Sequence, residues 1–241
     1  MPNADIPARL RSVRERIADA ARRASRPPDD VRLIAVSKTF PLEDIRAATQ
    51  CGQVDFGENK VQEGAAKILG AGSLPVRWHL IGHLQSNKAR KAAGLFDVIH
   101  SIDSVDLLRK VDDGAAAGSR HVDILIQVDL AQEATKFGAP VGEVPSIIEA
   151  ALRCRAARLT GLMTLPPAVD NPEEARQHFA ALRRLRDEWV RQGVPAARLA
   201  ELSMGMSHDF EVAIEEGATM VRVGSAIFGE RLPSAPRDDR P

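Results

Sequence analysis

Over the first ~25 residues, apolar positions recur at three- and four-residue steps (Leu10, Val13, Ile17, Ala20, Ala24) with arginines and acids between them, predicting an amphipathic helix. After the turn-forming Arg26-Pro27-Pro28-Asp29-Asp30, short apolar runs alternate with helical stretches. Eight runs predict strands over 31–38, 53–57, 76–82, 96–102, 122–130, 158–165, 201–203 and 219–224. Several, such as Leu33-Ile34-Ala35-Val36 and Ile124-Leu125-Ile126, are apolar at consecutive positions, as parallel strands covered on both faces are. The clearest helix lies over 171–192. Asn171 caps it, Pro172 suits the first helical position and Glu174 completes a capping box, while Gly193 and Pro195 stop it. Phe179, Leu182, Leu185 and Trp189 form its apolar stripe, and Arg183, Arg184 and Arg186 fall off it, on a solvated face. Eight βα units predict an α/β protein, a single-domain (β/α)8 barrel over 1–230 with an extra N-terminal helix; 231–241, with three prolines and mixed charges, reads as a loose tail. An open doubly wound sheet is the runner-up, disfavoured because no G-x-G-x-x-G follows the first strand.

Composition narrows the partners. Lys+Arg 33 equals Asp+Glu 33 in 241 residues, and this zero net charge argues against nucleic acid or an anionic membrane as partner. No apolar run approaches the ~18 residues of a membrane span, and the N-terminus has no signal-peptide core. Cys51 and Cys154 make neither a disulfide framework nor a metal cluster, so a cytoplasmic protein without metal is expected. There is no tyrosine, which excludes mechanisms that need a tyrosine acid or base.

In a (β/α)8 barrel, function gathers at the C-terminal ends of the strands. The first strand closes with Ser37-Lys38, and alternation puts Lys38 on the side of Ile34 and Val36. Burial there lowers an amine's pKa towards the neutral form that makes imines; the alternative is a lysine whose stem packs while its ammonium reaches solvent. Asn59, after the second strand, either orients a polar ring substituent or caps the following helix. His79 and His83 have an H-x-x-x-H spacing, but on a strand running into a loop through Gly82, so lining a site or a structural role suits them better than metal. Leu202-Ser203-Met204-Gly205-Met206-Ser207 and Gly224-Ser225-Ala226-Ile227-Phe228-Gly229 are small, hydroxyl-bearing turns before helices, at the two places where barrels build phosphate sites. Arg222 shares a face with Met220 and Gly224 and points into the mouth, where it meets a structural ion pair or an acceptor on a ligand. Imine-forming lysine, phosphate loops and inward arginine together suit pyridoxal 5'-phosphate (PLP).

The chain resembles the family of pyridoxal-phosphate-binding homeostasis proteins, single-domain relatives of the alanine racemase barrel. The motifs run from about Val31 to Gly229: Ala35-Val36-Ser37-Lys38, Phe56-Gly57-Glu58-Asn59 with Val61-Gln62-Glu63, Trp78 to Lys88, Gly161-Leu162-Met163-Thr164, and the two loops above. The resemblance implies PLP held as a Schiff base on Lys38, phosphate around Ser203, Gly205, Gly224 and Ser225, and Arg222 facing the ring nitrogen. Asn59, His79, His83 and Met163 are the further expected lining. It also implies a protein that keeps B6 vitamers in balance and passes PLP to apo-enzymes, with no catalytic residue of its own; a monomer is expected separately, because the sequence shows no obvious exposed apolar face. The pattern departs at Lys60, where tyrosine is frequent, at Asp129, near Glu133 and Lys136, and at His208.

Two other functions compete. A PLP-dependent racemase of narrow scope would need a histidine as second base, and an arginine on the ring nitrogen weakens the electron sink that such chemistry uses. A lysine-imine aldolase for sugar phosphates explains Lys38 but leaves Arg222 idle.

Overall fold

The structure, a computed structural model, describes residues 5–131 and 137–229. Its frame is a closed barrel of eight parallel strands. In chain order these are β1 (Arg32–Val36), β2 (Asp55–Glu58), β3 (Arg77–Leu80), β4 (Val98–Ile102), β5 (Val122–Asp129), β7 (Ala157–Met163), β8 (Glu201–Met206) and β9 (Met220–Val223). The β4–β5 and β1–β9 pairings close the ring, and a two-residue strand β6 (Ala139–Pro140) lies outside it against β5. The expected (β/α)8 architecture is therefore the fold, and the open sheet is not.

Alternation divides each strand between two cores. Leu33, Ala35, Phe56 and Leu80 face the helices in the large outer core. Ile34, Val98, Leu125, Met163 and Met220 fill the barrel itself. The helices are α2 (Leu42–Gln50), α3 (Val61–Ala71), α4 (Ala89–Ala93), α5 (Val105–Ala117), α6 (Val144–Ala151), α7 (Arg176–Arg191), α8 (Phe210–Glu215) and α9 (Ser225–Phe228). The N-terminal helix α1 (Ile6–Arg23) buries Ile6, Leu10, Val13 and Ile17 and packs beside α2, α8 and α9. Arg16 pins it, pairing with Glu211 at 2.7 Å while its guanidinium lies 4.6 Å from the Phe210 ring centre.

Two details differ from the sequence expectation. The predicted helix over 171–192 opens as a 3-10 turn, Pro172–Ala175, because the Asn171 side chain accepts from Glu173 N and no capping box forms. β8 runs three residues past the predicted 201–203. A register shift between Ser203 and Met206 lets it continue, with Gly205 at φ +91. A Cβ there would stand 2.6 Å from Ala213 Cβ and 2.9 Å from Phe210 Cα, so glycine is what lets α8 close on the strand. The expected tail 231–241 lies outside the described residues, as do Glu133 and Lys136.

Candidate functional site

The C-terminal ends of the strands surround a cavity of about 570 Å³, a size that suits a small cofactor. Val36 and Lys38 are on its wall, and Ile34 lies below them in the barrel, so the side that alternation gives Lys38, that of Ile34 and Val36, is the inner one. The loop after β1 is tied to the closing helix by Phe40, whose ring stacks on Phe228 at 5.1 Å and 30°.

Arg222 forms part of the cavity wall from β9, beside Ile34 in the sheet and 3% exposed. Its Nη2 donates to Thr164 O at 2.9 Å and its Nη1 to Ser203 Oγ at 2.5 Å. Burial lowers its pKa to about 10, with the charge of Asp209 opposing, so it remains a cation at neutral pH.

Beneath Arg222 a line of hydrogen bonds crosses the barrel. Ser203 Oγ is 2.9 Å from His100 Nδ1, His100 Nε2 is 2.9 Å from His79 Nδ1, and His79 Nε2 is 2.8 Å from Asp55 Oδ1. Burial pushes both imidazoles towards the neutral form, His100 well below its usual value. Burial alone would raise the Asp55 carboxyl, but the His79 hydrogen bond and the charges of Arg77 and Arg32 outweigh it and hold the pKa below the ordinary value. The ends then fix every proton between them. A carboxylate only accepts, so His79 carries its proton on Nε2 and accepts at Nδ1 from His100 Nε2–H. His100 Nδ1 therefore accepts the Ser203 hydroxyl proton, and Ser203 Oγ accepts from the arginine, which only donates. The chain has one direction, from Arg222 through Ser203, His100 and His79 to Asp55.

This geometry corrects part of the expected site. Ser203, with no exposed surface, is a link in that chain and not a rim hydroxyl. Gly205 packs against α8, Met163 is inside the barrel, and His79 is in the chain; none of these reaches the cavity. For Ser203 and Gly205 the cause is the length of β8, which continues to Met206 and so keeps both in the strand, below the loop. Asn59, His83, Gly224 and Ser225 do line the cavity. Asn59 is not the helix cap, since the residue preceding α3 is Lys60. His83 lies under Phe137, ring centres 3.6 Å apart and nearly parallel at 12°, and is at a different level from His79. His208 is at the rim, its Nε2 2.9 Å from Asp170 O.

Ser207 is the hydroxyl at the mouth in place of Ser203. Its Oγ accepts from Gly224 N at 3.1 Å, which ties the loops after β8 and β9 together and leaves the Ser207 O–H to donate elsewhere. Gly224 thus has its amide engaged and serves by shape, since a Cβ would stand 3.3 Å from Val36. Of the backbone N–H groups that open α9, those of Ile227 and Phe228 both donate to Gly224 O at 2.9 Å, which leaves those of Ser225 and Ala226 ahead of the helix's own bonding. The apolar wall residues Ile81 and Leu165 were also missed, although Leu165 follows from Met163 by one step of alternation.

A primary amine, a buried guanidinium, two rim hydroxyls and apolar walls around one cavity fit the aldehyde, pyridine nitrogen, phosphate and ring of PLP. The family described as alanine racemase, N-terminal domain, matches residues 9–232. The pyridoxal phosphate homeostasis protein of Aquifex aeolicus is 44% identical over 223 residues, 92% of this chain and 97% of that protein. That of Escherichia coli strain K12 is 40% identical over 234 residues, 94% and 97% of the two chains. A solved structure of PipY from Synechococcus elongatus with PLP bound superposes with a TM-score of 0.81 at 40% identity, covering 93% of this chain and 100% of that one. An alanine racemase from Clostridium difficile shares the fold at 16% identity and TM-score 0.73, with 58% of its length covered. From its matched length and its relatives, the chain belongs to the alanine racemase N-terminal-domain family, among the pyridoxal phosphate homeostasis proteins.

Proposed function

We propose that this chain binds PLP at the barrel mouth through Lys38 and holds it in reserve, keeping B6 vitamers in balance rather than turning over a substrate. Lys38 and Arg222 facing one cavity across two tied loops is the observation that carries this reading. When bound, the cofactor supplies an aldehyde that condenses with a neutral primary amine, forming a C=N bond and releasing water. Lys38 provides the amine. Ser207, Ser225 and the N–H groups of Ser225 and Ala226 would hold the phosphate, and Val36, Ile81 and Leu165 would pack on the ring. Arg222, held by Thr164 O and Ser203 Oγ, would offer a remaining N–H to the ring nitrogen and so keep a proton off it.

That last feature separates holding from catalysis. A ring nitrogen without a proton is a poor electron sink, and the sequence has no tyrosine to act as a second base. A non-catalytic holder that releases PLP to apo-enzymes, acting as a monomer in the cytoplasm, completes the proposal; among the described residues no helix is long and apolar enough to cross a membrane. Purified protein is expected to be yellow, and Lys38→Ala to be colourless with added PLP. A wild-type preparation that stays colourless with PLP rejects the reading, and rapid exchange of amino-acid α-protons in deuterated water would restore the racemase in its place.

A further inference from the structure

Behind β1, on the outer side of the barrel wall, a compact ion cluster grips the chain on both sides of Lys38. Lys67 of α3 is its centre. Its Nζ donates to Ser37 O at 2.7 Å, to Glu58 Oε1 at 2.8 Å and to Glu63 Oε1 at 2.8 Å. Ser37 Oγ donates to the same Glu58 oxygen at 2.6 Å, and Thr39 N donates to Glu63 Oε1 at 2.5 Å. One carboxylate thus holds the residue before Lys38, the other holds the residue after it, and the ammonium joins them. None of Ser37, Glu58, Glu63 and Lys67 lines the cavity.

Two observations show that this cluster is held against cost. Thr39 has φ +69, a left-handed conformation that a β-branched residue adopts only when its surroundings impose it. Glu58 is fully buried, and its Oε2 has no hydrogen-bond partner among the described residues. Burial raises the Glu58 pKa, with the Lys67 charge and hydrogen bond opposing. A buried carboxyl with an unsatisfied oxygen and a strained backbone beside the reactive lysine are what a positioning device looks like.

We propose that Lys67, with Glu58 and Glu63, is a brace that positions Lys38 for covalent capture of an aldehyde, by fixing the backbone at Ser37 and Thr39. This rests on the PLP reading above. Without the brace, Thr39 relaxes to negative φ, the turn after β1 shifts, and the Lys38 stem no longer enters the cavity along the inner side of β1. None of the brace's hydrogen bonds goes to the phosphate loops after β8 and β9, which the loop after β1 meets through the Phe40–Phe228 stack.

The test separates capture from binding. Lys67→Met and the double variant Glu58→Gln with Lys67→Met are compared with wild type; the double variant leaves no uncompensated buried carboxylate, so it folds even where the single one does not. Pyridoxal 5'-phosphate is added and the growth of absorbance is followed, with the adduct located after borohydride reduction. Affinity for pyridoxine 5'-phosphate, which keeps ring and phosphate but has an alcohol for the aldehyde, is measured in parallel. Capture on Lys38 is expected to slow by on the order of tenfold to a hundredfold in the double variant while affinity for the alcohol stays unchanged. Capture at the wild-type rate, or a parallel loss of capture and alcohol affinity, overturns the brace. A wild-type protein that leaves Lys38 unmodified removes the PLP reading, and the brace with it.

Discussion

The two sides of the barrel wall solve the same problem, holding a functional side chain still, in opposite ways. Inside, Arg222 is steadied by a linear chain in which each group donates once to the next until the Asp55 carboxylate, which only accepts, and the two imidazoles are neutral. Only the ends carry charge, so little charge is desolvated in the middle and every chain atom has a partner. Outside, Lys38 is steadied by a branched cluster in which one ammonium serves three oxygens and one carboxylate oxygen goes unpaired. A linear neutral chain fixes a direction; a branched ionic one fixes a backbone, and it depends on a single charge.

That difference predicts unequal fragility. Lys67→Met alone strands Glu58 in the outer core and is expected to cost about 3–5 kcal/mol in urea unfolding, with much of it regained in the double variant with Glu58→Gln. Equal stability of the single and double variants would show that Glu58 does not depend on the ammonium. Inside, Ser203→Ala leaves His100 Nδ1 and one arm of Arg222 without their partner, a loss of about 1–3 kcal/mol for an unsatisfied buried group. The same variant is expected to shift the absorbance of PLP-loaded protein, because Arg222 loses its support; an unchanged spectrum would disconnect the chain from the ring nitrogen.

Removing both rim hydroxyls, Ser207→Ala with Ser225→Ala, is expected to weaken PLP retention by about 1–3 kcal/mol in a dialysis measurement, with unfolding little altered. Retention that responds to Ser203→Ala and not to this pair would return the phosphate to the strand position.

The smallest effect has opposite signs on the two sides. The folded-state pKa of Asp55 lies below its ordinary 3.8, so its contribution is present above that value and is lost as pH falls through the folded pKa. The folded-state pKa of Glu58 lies above its ordinary 4.5, so its contribution is full below that value and is lost as pH rises through the folded pKa. Stability against pH is therefore expected to flatten on the acid side in Asp55→Asn and above 4.5 in Glu58→Gln. Same-sign changes would mean that the two carboxyls share one environment.

Much of this was legible in the sequence, and what was not has a physical cause. Consecutive apolar residues announced parallel strands covered on both faces, and alternation along one strand put Lys38 with Ile34 and Val36 and Arg222 with Met220, all on the inner side. Alternation is local, so it survives in one sequence. The end of β8 was hidden because Gly205, at φ +91 beside α8, looks like turn glycine while sitting in a bulged strand. His79 was visible as a candidate, but its partners come from β2 and β4, and no spacing within one segment records a meeting of three strands. Lys67 reads as an ordinary helix lysine until α3 is laid against β1 and β2.

The most direct test is an electron-density map of the protein loaded with PLP. Continuous density is expected from Lys38 Nζ to the ring, with the ring nitrogen beside Arg222 and the phosphate between Ser207 and Ser225. Phosphate density away from the loops after β8 and β9, or a covalent link to any other lysine, would contradict it.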